Sequence, residues 1–251
     1  MPIGKLIGRI LNMAIKDFYN RAFSKFLTTQ ISPAPNTSLT DFFLQDVLSF
    51  VSRTPLRILE LGCGASSLFS AVNLGHEQEV FAIDFSDVAI TYAQHFNQHS
   101  NIHYFCYDLL LPQDLKKLSQ LAPFEIVLDA HFLHCVAEEG ARQFFLQTLA
   151  SMMPTGGIFA MECLLTHSRM EFSDYFLFNP ESGILYQQLE QEALAVRWIP
   201  DIPDIERLFS SCGFSIDYLV AVAGAHVSVD GQEATPFDPA LARVIVKKVS
   251  I

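Results

Sequence analysis

Arg57-Ile58-Leu59-Glu60-Leu61-Gly62-Cys63-Gly64-Ala65-Ser66-Ser67 decides how the chain folds. Residues 57–61 are a short, mostly apolar run that reads as a strand, and the run stops at two glycines one residue apart. Gly62 and Gly64 lack side chains, so the turn can be tight and a ligand can come close to the backbone. Residues 66–74 read as a helix, which places a helix N-terminus behind the glycine turn. The next strand, residues 79–83, ends in Ile83-Asp84-Phe85, with Asp84 22 positions after Gly62. An acid at that spacing can accept hydrogen bonds from both hydroxyls of a ribose, and Phe85 can lie against an adenine face.

Working outward, Ser86 reads as the N-cap of a helix reaching about Asn97. Strands are expected over residues 102–107, 125–128 and 158–163, and helices over 112–121 and 138–153. Pro154 and the Gly156-Gly157 turn end the second of these helices. Such alternation implies βαβ units. It breaks over residues 164–202, which are rich in aromatics (Phe172, Tyr175, Phe176, Phe178, Tyr186) and hold the only tryptophan, Trp198. An insertion of that length is expected to form a lid. A helix over 205–212 and two strands, Phe214–Val222 and 243–249, follow, the strands expected as an antiparallel pair. Upstream, a helix is expected over 39–51, after the polar, proline-marked residues 32–37.

The expected fold class is therefore α/β: a doubly wound, mostly parallel seven-stranded sheet with helices on both faces, an antiparallel C-terminal strand pair, an N-terminal helical cap and a lid insertion. A single domain is expected over 1–251, with the cap at 1–52, a cofactor-binding core at 53–163, the lid at 164–202 and the rest of the sheet at 203–251.

Two dinucleotide readings compete at the glycine turn. A nicotinamide or flavin site uses G-x-G-x-x-G, but Ser67 holds the third position here. Glu60, just ahead of the turn, sits awkwardly beside a pyrophosphate and suits a cationic ligand. Leu59-Glu60-Leu61-Gly62-Cys63-Gly64, Ile83-Asp84-Phe85-Ser86, Tyr107-Asp108-Leu109, Val127-Leu128-Asp129-Ala130 and Met153-Pro154-Thr155-Gly156-Gly157 follow in that order. On these motifs the sequence resembles the class I S-adenosylmethionine-dependent methyltransferase family. Phe18-Tyr19-Asn20-Arg21-Ala22 is similar to the tyrosine-containing helix that often precedes its core.

The resemblance implies a Rossmann-like methyltransferase with S-adenosyl-L-methionine as cofactor. It implies cofactor contacts at Tyr19, Glu60, Gly62, Cys63, Gly64, Ser67, Asp84, Phe85, Ser86, Asp108, Leu109, Asp129 and Ala130, with Asp108 on the adenine amino group. A non-catalytic module that keeps the cofactor pocket for regulation or assembly is the competing reading, and a nicotinamide oxidoreductase comes third.

A sulfonium donor is already activated, so such a protein mainly supplies binding, alignment and exclusion of water. A general base is needed only where the acceptor arrives protonated. Candidates follow the fourth expected strand in Asp129-Ala130-His131-Phe132-Leu133-His134-Cys135, where ligands sit in open α/β sheets. His131 and His134 share a face if this piece is a helical turn, and imidazole titrates near neutrality. The competing reading has one histidine touching cofactor or backbone while the other packs. Glu162 could join them around a metal, but no metal is expected. Cys63, Cys106, Cys135 and Cys163 fall near strand carboxyl ends, where cysteine acts as a small hydrophobe unless it lines a site for a soft ligand.

Composition narrows the partners. The 251 residues hold 16 Lys+Arg against 27 Asp+Glu, a net charge of −11, so the chain repels phosphate backbones. A small-molecule acceptor is expected and nucleic acid is not. Half the residues are hydrophobic and 17% are charged, which excludes general disorder. Five cysteines without a C-x-x-C pair argue against a disulfide framework and for a reducing, cytoplasmic setting. Ile3, Leu6, Ile7, Ile10, Leu11, Ala14 and Phe18 fall at helical spacing, broken by Lys5, Arg9 and Lys16, which is unlike a secretory signal. That amphipathic helix is expected to pack on the domain. The competing reading lays it on a membrane surface.

Overall fold

The computed structural model describes residues 16, 17, 19–21, 23, 24, 36–51, 56–72, 74, 75, 77–97, 99–188, 193–222 and 235–250. Its strands are β1 (Arg57–Leu61), β2 (Glu79–Asp84), β3 (Ile102–Cys106), β4 (Ile126–Asp129), β5 (Ile158–Leu165), β6 (Phe176–Asn179), β7 (Ile184–Gln188), β8 (Ala193–Trp198), β9 (Phe214–Val222) and β10 (Ala240–Lys248). Its helices are α1 (Thr37–Gln45), α2 (Asp87–Phe96), α3 (Pro112–Ser119), α4 (Glu139–Ser151) and α5 (Ile202–Ser211).

β1 explains the layering. Leu59 and Leu61 point into one core with Leu115 of α3, Phe145 of α4 and Ile205 of α5. Ile58, the residue before Leu59, points into a second core with Phe42 and Phe43 of α1 and Ile90 of α2. Side chains that alternate across a strand thus bury both faces of the sheet under helices. Phe42 and Phe43 are fully buried, and burial of each stabilises the fold by about 1.5–3 kcal/mol.

The seven-stranded sheet runs β3-β2-β1-β4-β5-β10-β9. The pairs among β1 to β5 are parallel, whereas β10 is antiparallel to both β5 and β9. From β1 the chain winds outward to β3, then crosses back to β4 and winds the other way. The carboxyl ends of β1 and β4 therefore flank a switch point, where open α/β sheets bind ligands. The register sets Leu61 beside both Ile83 and Asp129, so three strand ends open on one crevice.

Two local expectations change. The helix expected over 66–74 is a single 3-10 turn, Leu68–Ser70. Serine hydroxyls take the backbone's partners there: Ser70 Oγ donates to Ser67 O at 2.7 Å, and Ser67 Oγ accepts from Phe69 N at 3.1 Å. The helix expected over 39–51 divides into α1, capped by the Asn36 side chain, and a 3-10 turn, Val47–Phe50. The insertion after β5 is a separate antiparallel sheet in the order β6-β7-β8. Of the N-terminal amphipathic helix, residues 3–15 and Phe18 lie outside the described residues, and residues 16, 17, 19–21, 23 and 24 are helical. No helix among the described residues is long and apolar enough to cross a membrane.

Candidate active site

The glycine turn is built for backbone rather than side chains. Gly62 and Gly64 have φ of 74° and 58°, a left-handed conformation that glycine adopts without strain. A Cβ on Gly62 would lie 3.2 Å from Ala130 O and from Phe132 Cβ, so the loop after β4 sits directly on this turn. The Gly62 and Cys63 amides donate to Ile83 O at 2.8 and 3.0 Å, which ties the turn to the end of β2. Asp84 closes it, accepting from Gly64 N at 3.0 Å and from Ser86 N at 2.8 Å. Burial pushes its carboxyl up to about 6. Each oxygen keeps acceptor capacity for a hydroxyl.

Several residues expected to touch a cofactor turn inward instead. Glu60 is 1% exposed, and its oxygens accept from Ser67 Oγ and from Leu68 N at 2.9 Å. It braces the turn from behind and does not face a cationic ligand, and burial raises its carboxyl to about 7. Ser67 is consumed in that brace. Ser86 is the N-cap of α2, accepting from Ala89 N at 3.1 Å and donating to Asn20 Oδ1 at 2.6 Å. Asp129 accepts from Phe132 N and from Leu133 N at 2.8 Å, so its carboxylate shapes the turn after β4. Cys63 and Leu109 are buried. The reason is shared: a carboxylate or hydroxyl beside a tight turn is the nearest partner for that turn's orphaned amides.

Of the other residues expected to touch the cofactor, Gly62, Gly64, Phe85, Asp108 and Ala130 are half-buried and Asp84 is 8% exposed. Asp84 ends β2, and the rest lie in the turns that follow β1 to β4. Asp108 Oδ1 accepts from Leu110 N at 3.0 Å, and burial raises its carboxyl. Tyr19 closes over this group, its ring 5.5 Å from that of Phe85 in an edge contact. Burial, then the neighbouring Cys135, push its hydroxyl up.

The turn after β4 brings the two histidines together, their ring centroids 5.3 Å apart. His131 has φ of 71°, a left-handed conformation uncommon for a side-chain-bearing residue. Asn36 settles its tautomer. The Asn36 Oδ1 accepts from Leu39 N at 3.1 Å, so its Nδ2 donates to His131 Nε2 at 2.9 Å. Neutral His131 then carries its proton on Nδ1. Both His131 Nδ1 and His134 Nδ1 are buried without a partner. Burial holds both imidazoles below their ordinary pKa; Arg197 adds to the effect, while Glu162 opposes it at His131.

Glu162 is spent elsewhere. Its Oε1 accepts from Ser38 Oγ and Arg243 Nε, each at 2.8 Å, while Oε2 has no partner. Among the described residues no group of three His, Cys, Asp or Glu is placed to hold a metal ion. Burial raises the thiols of Cys63, Cys135 and Cys163, which favours the unreactive, protonated form. Sequence reasoning missed Asn36, Ser38 and Arg197. Asn36 carried a readable signal, since asparagine before a helix is a favoured cap.

Residues 59–159 match a family model described as "Methyltransferase domain". Solved structures of similar fold include a Methanosarcina mazei S-adenosylmethionine-dependent methyltransferase (15% identity, TM-score 0.61, covering 82% of this chain and 98% of that one). Another is Burkholderia thailandensis 1,6-didemethyltoxoflavin-N1-methyltransferase with 1,6-didemethyltoxoflavin and S-adenosylhomocysteine bound (13%, 0.60, 95% and 89%). A third is magnesium protoporphyrin IX methyltransferase from Synechocystis PCC 6803 with its cofactor bound (15%, 0.57, 95% and 97%). No curated protein matches the chain. The fold is that of the class I methyltransferases.

Proposed function

We propose that the chain transfers a methyl group from S-adenosylmethionine to a small-molecule acceptor held over the carboxyl ends of β1 and β4. One observation carries this reading: a glycine turn too tight for side chains, sealed by a buried carboxylate, at the switch point of the sheet. Gly62 and Gly64 would admit the cofactor against the backbone, Asp84 would hold the ribose hydroxyls, and Asp108 the adenine amino group. Phe85 and Tyr19 would flank the same ligand with apolar surface. When bound, the cofactor supplies a methyl group already activated on a sulfonium.

The chain's remaining task is to align the acceptor and exclude water. Alignment can lower a barrier by about 7–11 kcal/mol. His134, whose buried Nδ1 has no protein partner, would accept a proton from a protonated acceptor. His131 presents Nδ1–H, a donor that can orient the acceptor. The β6-β7-β8 insertion would cover the acceptor. Residues 1–251 act as one domain in this reading, in a reducing cytoplasm that suits the buried thiols. The acidic surface and the small molecules named for the Burkholderia and Synechocystis proteins favour a small acceptor over nucleic acid.

Calorimetry tests the reading. S-adenosylmethionine and S-adenosylhomocysteine should bind with measurable heat and NAD should not. Clear NAD binding with no response to the sulfonium ligand would overturn the assignment.

A further inference from the structure

β8 sends successive side chains to opposite sides, as strands do. Trp198 is buried beneath the Arg142 guanidinium, 4.2 Å from the ring centroid, beside a cavity of about 500 Å³ between the insertion, α4 and α5. Arg197 goes the other way, toward the turn after β4. Its Nη2 donates to Tyr19 OH at 2.8 Å, and its Nη1 donates to Val196 O at 2.8 Å. A guanidinium has about five N–H donors, so most of the fork is left for something else.

Arg57, Arg207 and Arg243 each pair with a carboxylate. Arg197 has no such partner among the described residues, although it is partly buried. An unpaired cation withdrawn from water is costly, so this part of the crevice lacks a negative charge. Tyr19 joins the position to the cofactor side through Phe85, and its hydroxyl lies 3.7 Å from Cys135 Sγ in the turn that carries the histidines. Arg197 thus stands where the cofactor side, the histidine turn and the insertion meet.

We propose that Arg197 anchors the acceptor, and that the acceptor is a small organic acid whose carboxylate takes the free edge of the guanidinium. A planar fork meeting a carboxylate fixes orientation as well as position, which a lysine in its place would not do. The anchored acid then presents its nucleophilic atom toward His134. This inference rests on the methyltransferase reading above.

The test loads the protein with S-adenosylhomocysteine and titrates benzoate, phenylacetate and indole-3-acetate, each against its primary amide. Calorimetry should show an acid binding about tenfold or more tightly than its amide. Arg197→Gln should abolish that preference and Arg197→Lys should keep part of it. Both variants should remain folded, and Arg197→Lys, which can still donate to Tyr19 OH, should retain affinity for S-adenosylhomocysteine. Equal binding of acids and amides, no binding of any acid to the loaded protein, or a preference that survives in Arg197→Gln overturns the proposal. If S-adenosylhomocysteine itself gives no heat, the methyltransferase reading fails and takes the proposal with it.

Discussion

The two sides of the crevice are finished to different degrees. On the glycine-turn side, Asp84, Glu60, Ser67 and Ser86 all have protein partners. On the side formed by the turn after β4 and the end of β5, His131 Nδ1, His134 Nδ1 and Glu162 Oε2 are buried without partners, and Arg197 has no carboxylate partner among the described residues. A turn whose own amides are satisfied is preorganised and holds its shape before a ligand arrives. Buried polar atoms without partners are costly and are seldom tolerated unless something else completes them. In the proposed reading, the contrast separates a cofactor side whose turn is already braced from an acceptor side that a ligand would complete.

The largest expected effect lies on the acceptor side. His134→Gln should slow turnover by about 10²–10⁴-fold while cofactor affinity changes little, and His131→Gln should cost less because its Nε2 already serves Asn36. Since burial lowers both imidazoles, turnover should persist below the ordinary value of 6.5 and fall only at lower pH. The sign for stability is opposite to that of a surface histidine with an acidic partner. The unfolded chain takes up these protons first, so both groups cost stability below that value and nothing above it. A pH–rate profile and melting curves check both statements, and normal turnover in both variants would remove the base from the mechanism.

On the cofactor side, Asp84→Ala should weaken S-adenosylhomocysteine binding by about 1.5–3 kcal/mol, read by calorimetry. In the unaltered protein the same affinity should decline as pH falls through about 6, because a protonated Asp84 loses an acceptor. Unchanged affinity in the variant would move the ribose site elsewhere.

Gly62→Ala should have the smallest effect. A side chain at φ of 74° that also meets Ala130 O at 3.2 Å should cost about 1–3 kcal/mol of stability. If the variant melts as the parent does, the turn is looser than its geometry implies, and the contrast between the two sides weakens.

The sheet was legible because its signals are local. Strand, turn and strand ends appear as apolar runs punctuated by glycine or an N-cap, and β1 falls where the run 57–61 placed it. The short 66–74 segment misled because serine hydroxyls, invisible to apolar periodicity, replaced helical bonds. The insertion was recognisable as an interruption but not as a sheet. The burial pattern of β8 is nearly uniform along the strand, so no period of two marks it.

For the site, the sequence alone determined what a short stretch can determine. Two glycines able to hold left-handed backbone, and an acid at the end of the following strand, fall within one stretch from β1 to β2 and depend on the conformational preferences of the residues themselves. It could not say which way an acid faces. Glu60, Asp129 and Asp84 all became buried braces of their turns, because packing, not residue type, decides which amides lie nearest. The tautomer of His131 depends on Asn36, 95 positions away, and Arg197 reaches Tyr19 across 178 positions. Charge and proton placement arise from contacts made only when distant segments meet, and burial fixes how strongly those contacts act.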